Sequence, residues 1–221
     1  MNKKAYILFT RIPIPNKVKT RLQTKLTGEE AAQIQLELLK DGFLKFEALK
    51  NKGIDLFLAY SDGAKSKSFF EIIPDGFEYF PQLGDTIGDR MDHAMKTIFA
   101  KGYEKVVLTG SDIPNLNQKI IQDAFDKMEE VVIGPSCDGG YYLIGSTYSI
   151  DLSPIFQTNI GWGKQNVLQE TIALIAKRKL YVLPTLKDID YPEDLVEALK
   201  YSEKDNYFFN QWLKENRGRV K

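Results

Sequence analysis

Apolar residues fall into two alternating rhythms along the chain. Short unbroken runs of strand length, Ala5–Phe9, Ile54–Tyr60, Phe77–Phe80, Val106–Leu108, Val131–Ile133, Tyr141–Gly145 and Leu180–Leu183, are separated by longer polar segments with helical spacing. In the clearest of these, Leu36, Leu39, Phe43, Phe46 and Leu49 recur at three- and four-residue steps, the pattern of one stripe packed on a sheet. Thr27 and Glu30 stand in capping-box spacing at its start, and Asn51-Lys52-Gly53 ends it. Further helices are predicted over Lys65–Ile72, from near Arg90 to about Phe99, over Asn117–Glu130 and Gln165–Lys177, and after Pro192. A β-α-β-α-β order implies a mostly parallel central sheet with right-handed crossovers, hence a layered α/β domain. That domain is expected over residues 1–200. The remainder, 201–221, carries Tyr207, Phe208, Phe209, Trp212 and Leu213 and should form a helical tail packed on the domain or on a second copy in a homodimer.

Composition narrows the function classes. Thirty basic and thirty acidic residues balance among 221 and are scattered, so no electrostatic footprint for nucleic acid or a membrane surface exists and the ligand should be small. One cysteine, Cys137, excludes a disulfide framework, and one histidine, His93, leaves too few ligands for a Cys/His zinc site. No apolar run reaches the roughly 20 residues of a membrane span, and Ala5–Phe9 is too short for a signal peptide core, so a cytoplasmic protein is expected.

The chemistry should gather around VVLTGSDIPNL, residues 106–116. Asp112 follows a buried strand where open α/β sheets bind ligands, and Ile113-Pro114 bars an immediate helix, so its carboxylate can face outward and hold a hard cation on a phosphate. The alternative is a cap for the following helix or a turn. After the first strand, TRIPIPNKVKTRL places Arg11, Lys17, Lys19 and Arg21 in a proline-stiffened loop. Such a loop suits a polyphosphate held by side-chain charge, in which case replacing Lys19 or Arg21 should weaken binding with little change in stability, or it is an ordinary solvated loop. Arg90 sits near a helix start, as a ligand contact or as surface charge. Asp138-Gly139-Gly140 is either a close approach of backbone to ligand or an Asp-Gly hairpin. Trp162, in the loop Asn159–Gly163, could stack on a ligand, seal a pocket mouth or fill the core. Asp190 stands between a strand and a helix.

Read together, TRIPIPNKVKTRL, QLGDTIGDRM, LTGSDIPNL, GPSCDGGYYLIG and DIDYPEDL resemble the bacterial and archaeal family called rSAM/selenodomain-associated transferase 1 over about Lys4 to Leu199. The KTRL and SDIPNL blocks are more distantly similar to the nucleotidyltransferases of molybdopterin dinucleotide synthesis and the guanylyltransferase of deazaflavin cofactor synthesis. The resemblance implies a three-layer α/β/α Rossmann-like GT-A fold and a nucleotide or nucleotide-sugar donor bound with Mg²⁺ or Mn²⁺. By the same resemblance Arg11, Lys19, Arg21 and Arg90 would contact the nucleotide, and Asp112 and Asp190 would hold the metal. Asp112, Asp138 and Asp190 would be the catalytic carboxylates, with Gly139, Gly140 and Trp162 lining the pocket of a small-molecule acceptor. The first loop has prolines where most nucleotidyltransferases have glycines, and Gly-Ser-Asp stands where many glycosyltransferases have Asp-X-Asp. Without glycines to cradle a triphosphate, glycosyl transfer is favoured over nucleotidyl transfer; a non-catalytic nucleotide-binding module is the third reading.

Overall fold

A computed structural model describes residues 3–61, 67–158, 160–175, 177–201 and 204–220. Its elements run β1 (Lys4–Thr10), α1 (Gly28–Glu47), β2 (Ile54–Tyr60), α2 (Lys67–Glu71), β3 (Phe77–Pro81), α3 (Ile87–Ala100), β4 (Lys105–Gly110), α4 (Gln118–Lys127), β5 (Val131–Pro135), β6 (Tyr141–Thr147), α5 (Ser153–Phe156), α6 (Val167–Ile175), β7 (Leu180–Val182), α7 (Pro192–Tyr201), α8 (Tyr207–Glu215) and α9 (Arg217–Val220). Single 3-10 turns cover Thr20–Thr24 and Ala48–Lys52. The expected helix over Lys65–Ile72 is seen as α2; its first two positions, like Asn159 and Ala176, lie outside the described residues.

Seven strands form one sheet in the order β3-β2-β1-β4-β6-β5-β7. All pairings are parallel except those of β6, which runs antiparallel to both β4 and β5. The period-two alternation of the central strands divides their side chains between two cores, because successive residues point to opposite faces. Tyr6, Leu8, Leu56, Leu58 and Val107 face α1 and α4, where they meet Phe43, Phe46, Ile121 and Phe125. Ala5, Ile7, Phe57, Val106 and Leu108 face α3, α5 and α6 and pack on Met91, Met95, Ile98, Phe156 and Ile175. This is a three-layer α/β/α domain.

Helix α1 starts as the sequence indicates, with Thr27 accepting from Glu30 N while Glu30 accepts from Thr27 N. Its burial is broader than one stripe. Leu39, Phe43, Phe46 and Leu49 pack on the sheet, Leu36 is only partly buried, and a second row, Ile34 and Leu38, is covered by Phe209, Trp212 and Leu213 of α8. The tail therefore lies against α1 of its own chain. Asp41 of α1 accepts hydrogen bonds from Phe208 N and Phe209 N, each at 2.9 Å, supplying the first turn of α8 with the acceptor that its own N-cap side chain does not provide. Among the described residues no helix is long and apolar enough to cross a membrane.

Candidate functional site

The chain leaves β1 for β2 on one side and later returns through β4 on the other, so the C-terminal ends of β1 and β4 open a crevice where the strand order reverses. Thr10 and Ser111 meet there with their hydroxyl oxygens 2.8 Å apart, and Gln35 of α1 donates to Ser111 Oγ at 2.8 Å from behind. The crevice widens into a cavity of about 640 Å³, lined among others by Arg11, Lys19, Arg21, Arg90, Asp112, Asp138, Gly140, Trp162, Asp188 and Asp190. That volume is in the range of small-molecule sites.

The loop after β1 reaches into the cavity through two non-glycine residues in the left-handed region, Asn16 (φ 63) and Lys19 (φ 48). The second turn carries the Lys19 side chain inward until only 4% of it meets solvent. Its ammonium donates to Asp112 Oδ2 at 2.7 Å and to the carbonyl of Ile189, while Ile189 N donates to Asp112 O at 3.0 Å. Lys19 thus binds three separate segments: the β1 loop, the end of β4 and the stretch before α7. Arg21 is different. Its side chain is 48% exposed, pairs with Asp190 and lies 5.3 Å from the Tyr191 ring centroid, and the Asp190 hydrogen bond and charge raise its pKa further above the ordinary range. The two cations expected together, as phosphate contacts or as solvated loop charges, are one buried clamp and one open pair.

Asp112 is not a helix cap. Asn117 caps α4 by accepting from Ile120 N at 3.1 Å, which leaves Asp112 free to face the cavity, 35% exposed. Asp138 sits in the β5–β6 hairpin and accepts from Gly140 N at 2.9 Å and from Ser136 Oγ, so both the hairpin and the approach to the cavity are present at one position. Gly140 lines the cavity. Gly139 (φ 89) turns toward α6 instead, where a Cβ would lie 2.0 Å from Gln165 O. Trp162 packs edge-on to Tyr141, centroids 6.5 Å apart, and reaches the start of α3 at Gly88, where a Cβ would stand 2.7 Å from its ring. Arg90, in the first turn of α3, donates from Nε to Gly84 O at 2.9 Å and so braces the loop preceding that helix.

Sequence reasoning passed over Asp188. Its carboxyl is pushed up to about 6, first by burial and then by the charges of Asp112 and Asp138, with Lys19 acting in the opposite direction. The sequence offered only the Asp188-Ile189-Asp190 alternation; in the structure Ile189 is buried and both aspartates line the cavity. Asp194 holds that segment by accepting from Asp190 N at 2.9 Å and Tyr191 N at 2.6 Å. Repulsion within an acidic cluster of this kind is relieved by a divalent cation. Among the described residues no group of three or more His, Cys, Asp or Glu side chains is arranged to hold a metal ion. The donor set suits a hard cation that takes one or two carboxylates and completes its shell with phosphate and water.

A family described as an uncharacterized protein conserved in bacteria, DUF2064, matches residues 44–164. The 2-phospho-L-lactate guanylyltransferase of Methanocaldococcus jannaschii is 29% identical over 190 residues, 82% of this chain and 77% of that protein. The crystal structure of a candidate nucleotide-diphospho-sugar transferase from Desulfovibrio desulfuricans G20 is 31% identical, covers 100% of this chain and 97% of its own, and superposes with a TM-score of 0.88. A cytidylyltransferase from Leptospira borgpetersenii, 15% identical, shares the fold with a TM-score of 0.62 over 100% of this chain and 97% of that one. The fold is that of the nucleotide-diphospho-sugar transferases.

Proposed function

The chain belongs to the DUF2064 family, and from its likeness to a guanylyltransferase and the geometry of the cleft we propose that it is a nucleotide-using transferase whose reaction is nucleotidyl transfer. The observation that carries this reading is the conformation of the β1 loop. Missing glycines argued against a triphosphate cradle, yet Asn16 and Lys19 adopt the left-handed turns that glycines ordinarily supply, and they bring a buried ammonium to the switch point. Likeness to the guanylyltransferase supports the same class of chemistry. We place the protein within the rSAM/selenodomain-associated transferase 1 group on the sequence blocks that suggested it.

In this reading Lys19 supplies fixed positive charge beside the phosphorus under attack, where water is already excluded, and Arg21 supplies exposed charge farther out. Asp112 with Asp188 would hold Mg²⁺ or Mn²⁺, which neutralises phosphate charge when bound. Asp138 faces the acceptor from the hairpin side, beneath the Trp162 wall. Glycosyl transfer is the second reading, favoured by the likeness to the Desulfovibrio protein and by the aromatic wall of Trp162 and Tyr141.

The discriminating experiment is a thermal-shift panel of nucleoside triphosphates and nucleotide sugars with Mg²⁺, followed by assay of pyrophosphate and nucleoside diphosphate release with pooled small phosphorylated and hydroxylated acceptors. Stabilisation by one triphosphate with pyrophosphate release supports nucleotidyl transfer. Stabilisation by a nucleotide sugar with diphosphate release replaces it by glycosyl transfer, and no response to any nucleotide rejects both.

A further inference from the structure

Behind the cleft lies a second buried lysine that touches none of the cavity. Lys45, in the last turns of α1, is 7% exposed, and its ammonium donates to Pro114 O and to Asn206 Oδ1, each at 2.9 Å. Pro114 belongs to the loop that carries Asp112. Asn206, completely buried, precedes α8, whose first turn is held by the neighbouring Asp41. The Asp41 carboxylate acts on the same ammonium electrostatically, and the Phe46 ring centroid lies 5.8 Å away.

A buried ammonium is retained only where its donors are satisfied, so its acceptors have to stay in place together. One of them is on the site loop and the other on the C-terminal segment. On the site side, Ser111 is held from α1 by Gln35 and Asp112 is held by Lys19. Pro114 has no N–H of its own, so its carbonyl is the backbone group through which this residue can be held.

We propose that Lys45 is a positioning residue for the Asp112 loop and that it couples the docking of the C-terminal segment, residues 204–220, to nucleotide affinity. The proposal deepens the nucleotide-transferase reading and rests on it for its binding readout. Undocking α8 removes the Asn206 acceptor and the Asp41 contacts together, leaving the ammonium to reorganise and the Pro114 carbonyl with it. The loop then samples orientations in which Asp112 no longer meets Lys19.

The test compares Lys45→Met, Asn206→Ala and Ile98→Ala in the full chain. Ile98, completely buried in α3 in the core on the other face of the sheet, serves as a control for lost stability alone. Hydrogen exchange of peptides covering residues 110–116 is read without ligand, and nucleotide affinity is read well below each variant's melting temperature. Lys45→Met and Asn206→Ala should speed exchange in the loop and weaken nucleotide binding about five- to tenfold, while Ile98→Ala at equal or greater loss of melting temperature changes neither. Lys45→Arg, which keeps the charge, should recover part of the affinity. Unchanged loop exchange in both test variants overturns the proposal, as does an equal loss of affinity in Ile98→Ala. If the wild type binds no nucleotide, the functional reading fails, and the exchange arm still decides whether Lys45 holds the loop.

Discussion

Lys19 Nζ stands 2.7 Å from Asp112 Oδ2, and the two charges are unequally wet: 4% of the lysine side chain meets solvent against 35% of the aspartate. Replacing the lysine leaves a half-open carboxylate that water can serve, whereas replacing the aspartate leaves a buried ammonium held by the backbone carbonyl of Ile189. Lys19→Met should therefore lower stability by about 1–2 kcal/mol and abolish tight nucleotide binding. Arg21→Ala, at an exposed pair, should leave melting within about 0.5 kcal/mol while weakening binding of triphosphates more than of monophosphates. Melting curves and calorimetric titration check both; equal stability losses would show that Lys19 is not the clamp described.

The pH dependence of stability should carry the mark of Asp188. Its carboxyl is held at about 6 in the fold against an ordinary 3.8. The folded state thus holds more protons than the unfolded chain between those values, so this contribution is complete below the lower one and is lost as pH rises through the higher. Asp188→Asn should be more stable than the wild type at neutral pH by on the order of 1–2 kcal/mol, and the difference should vanish toward pH 4. Denaturant titrations across that range provide the measurement. A constant difference would mean that the Asp188 carboxyl is not raised in the fold.

Metal dependence separates the acids. Asp190 is engaged by Arg21, whereas Asp188 shares its electrostatic surroundings with Asp112. With a nucleotide present, Asp112→Asn and Asp188→Asn should each weaken Mn²⁺ binding, followed by electron paramagnetic resonance, by about tenfold or more, and Asp190→Asn should do so less. The reverse order would return the second ligand position to Asp190.

Gly88 provides a packing test whose sign is unusual. Glycine to alanine within a helix ordinarily gains stability. Here the new methyl would lie 2.1 Å from Phe156 O and 2.7 Å from the Trp162 ring, so Gly88→Ala should lose about 1–3 kcal/mol. Trp162→Ala in the same background should not restore it, because the Phe156 carbonyl remains. Stability measured on the single and double variants decides.

What the sequence disclosed follows from the range of the forces involved. β2 was legible to its ends, Ile54–Tyr60, and the Thr27–Glu30 cap to its hydrogen bonds, since both depend on residues close in the chain. The parallel sheet and the place of Asp112 followed from strand and helix alternation. Asp188 escaped because its character is set by burial in the assembled cleft and then by Asp112 and Asp138, which follow β4 and lie in the β5–β6 hairpin. The burial of Lys19 escaped for a related reason: a loop rich in lysine and proline reads as solvated until the segment before α7 closes over it. Helix α5 is four residues long with Pro154 near its start, too brief to generate a period.

The reversal of β6 has a consequence for how the cleft can change. Because β6 runs opposite to β4 and β5, the hairpin at residues 136–140 projects from the same rim as the ends of β1 and β4, while the opposite ends of β5 and β6 lie at the far side of the sheet. One wall of the cavity is therefore a turn outside the sheet, tied by Cys137 N to Leu186 O and by Gly139 O to Leu168 N. Exchanges at Asp138 and Gly140, which line the cavity, would reshape what the cleft admits without altering strand register, while Gly139, packed on Gln165, keeps the turn in place.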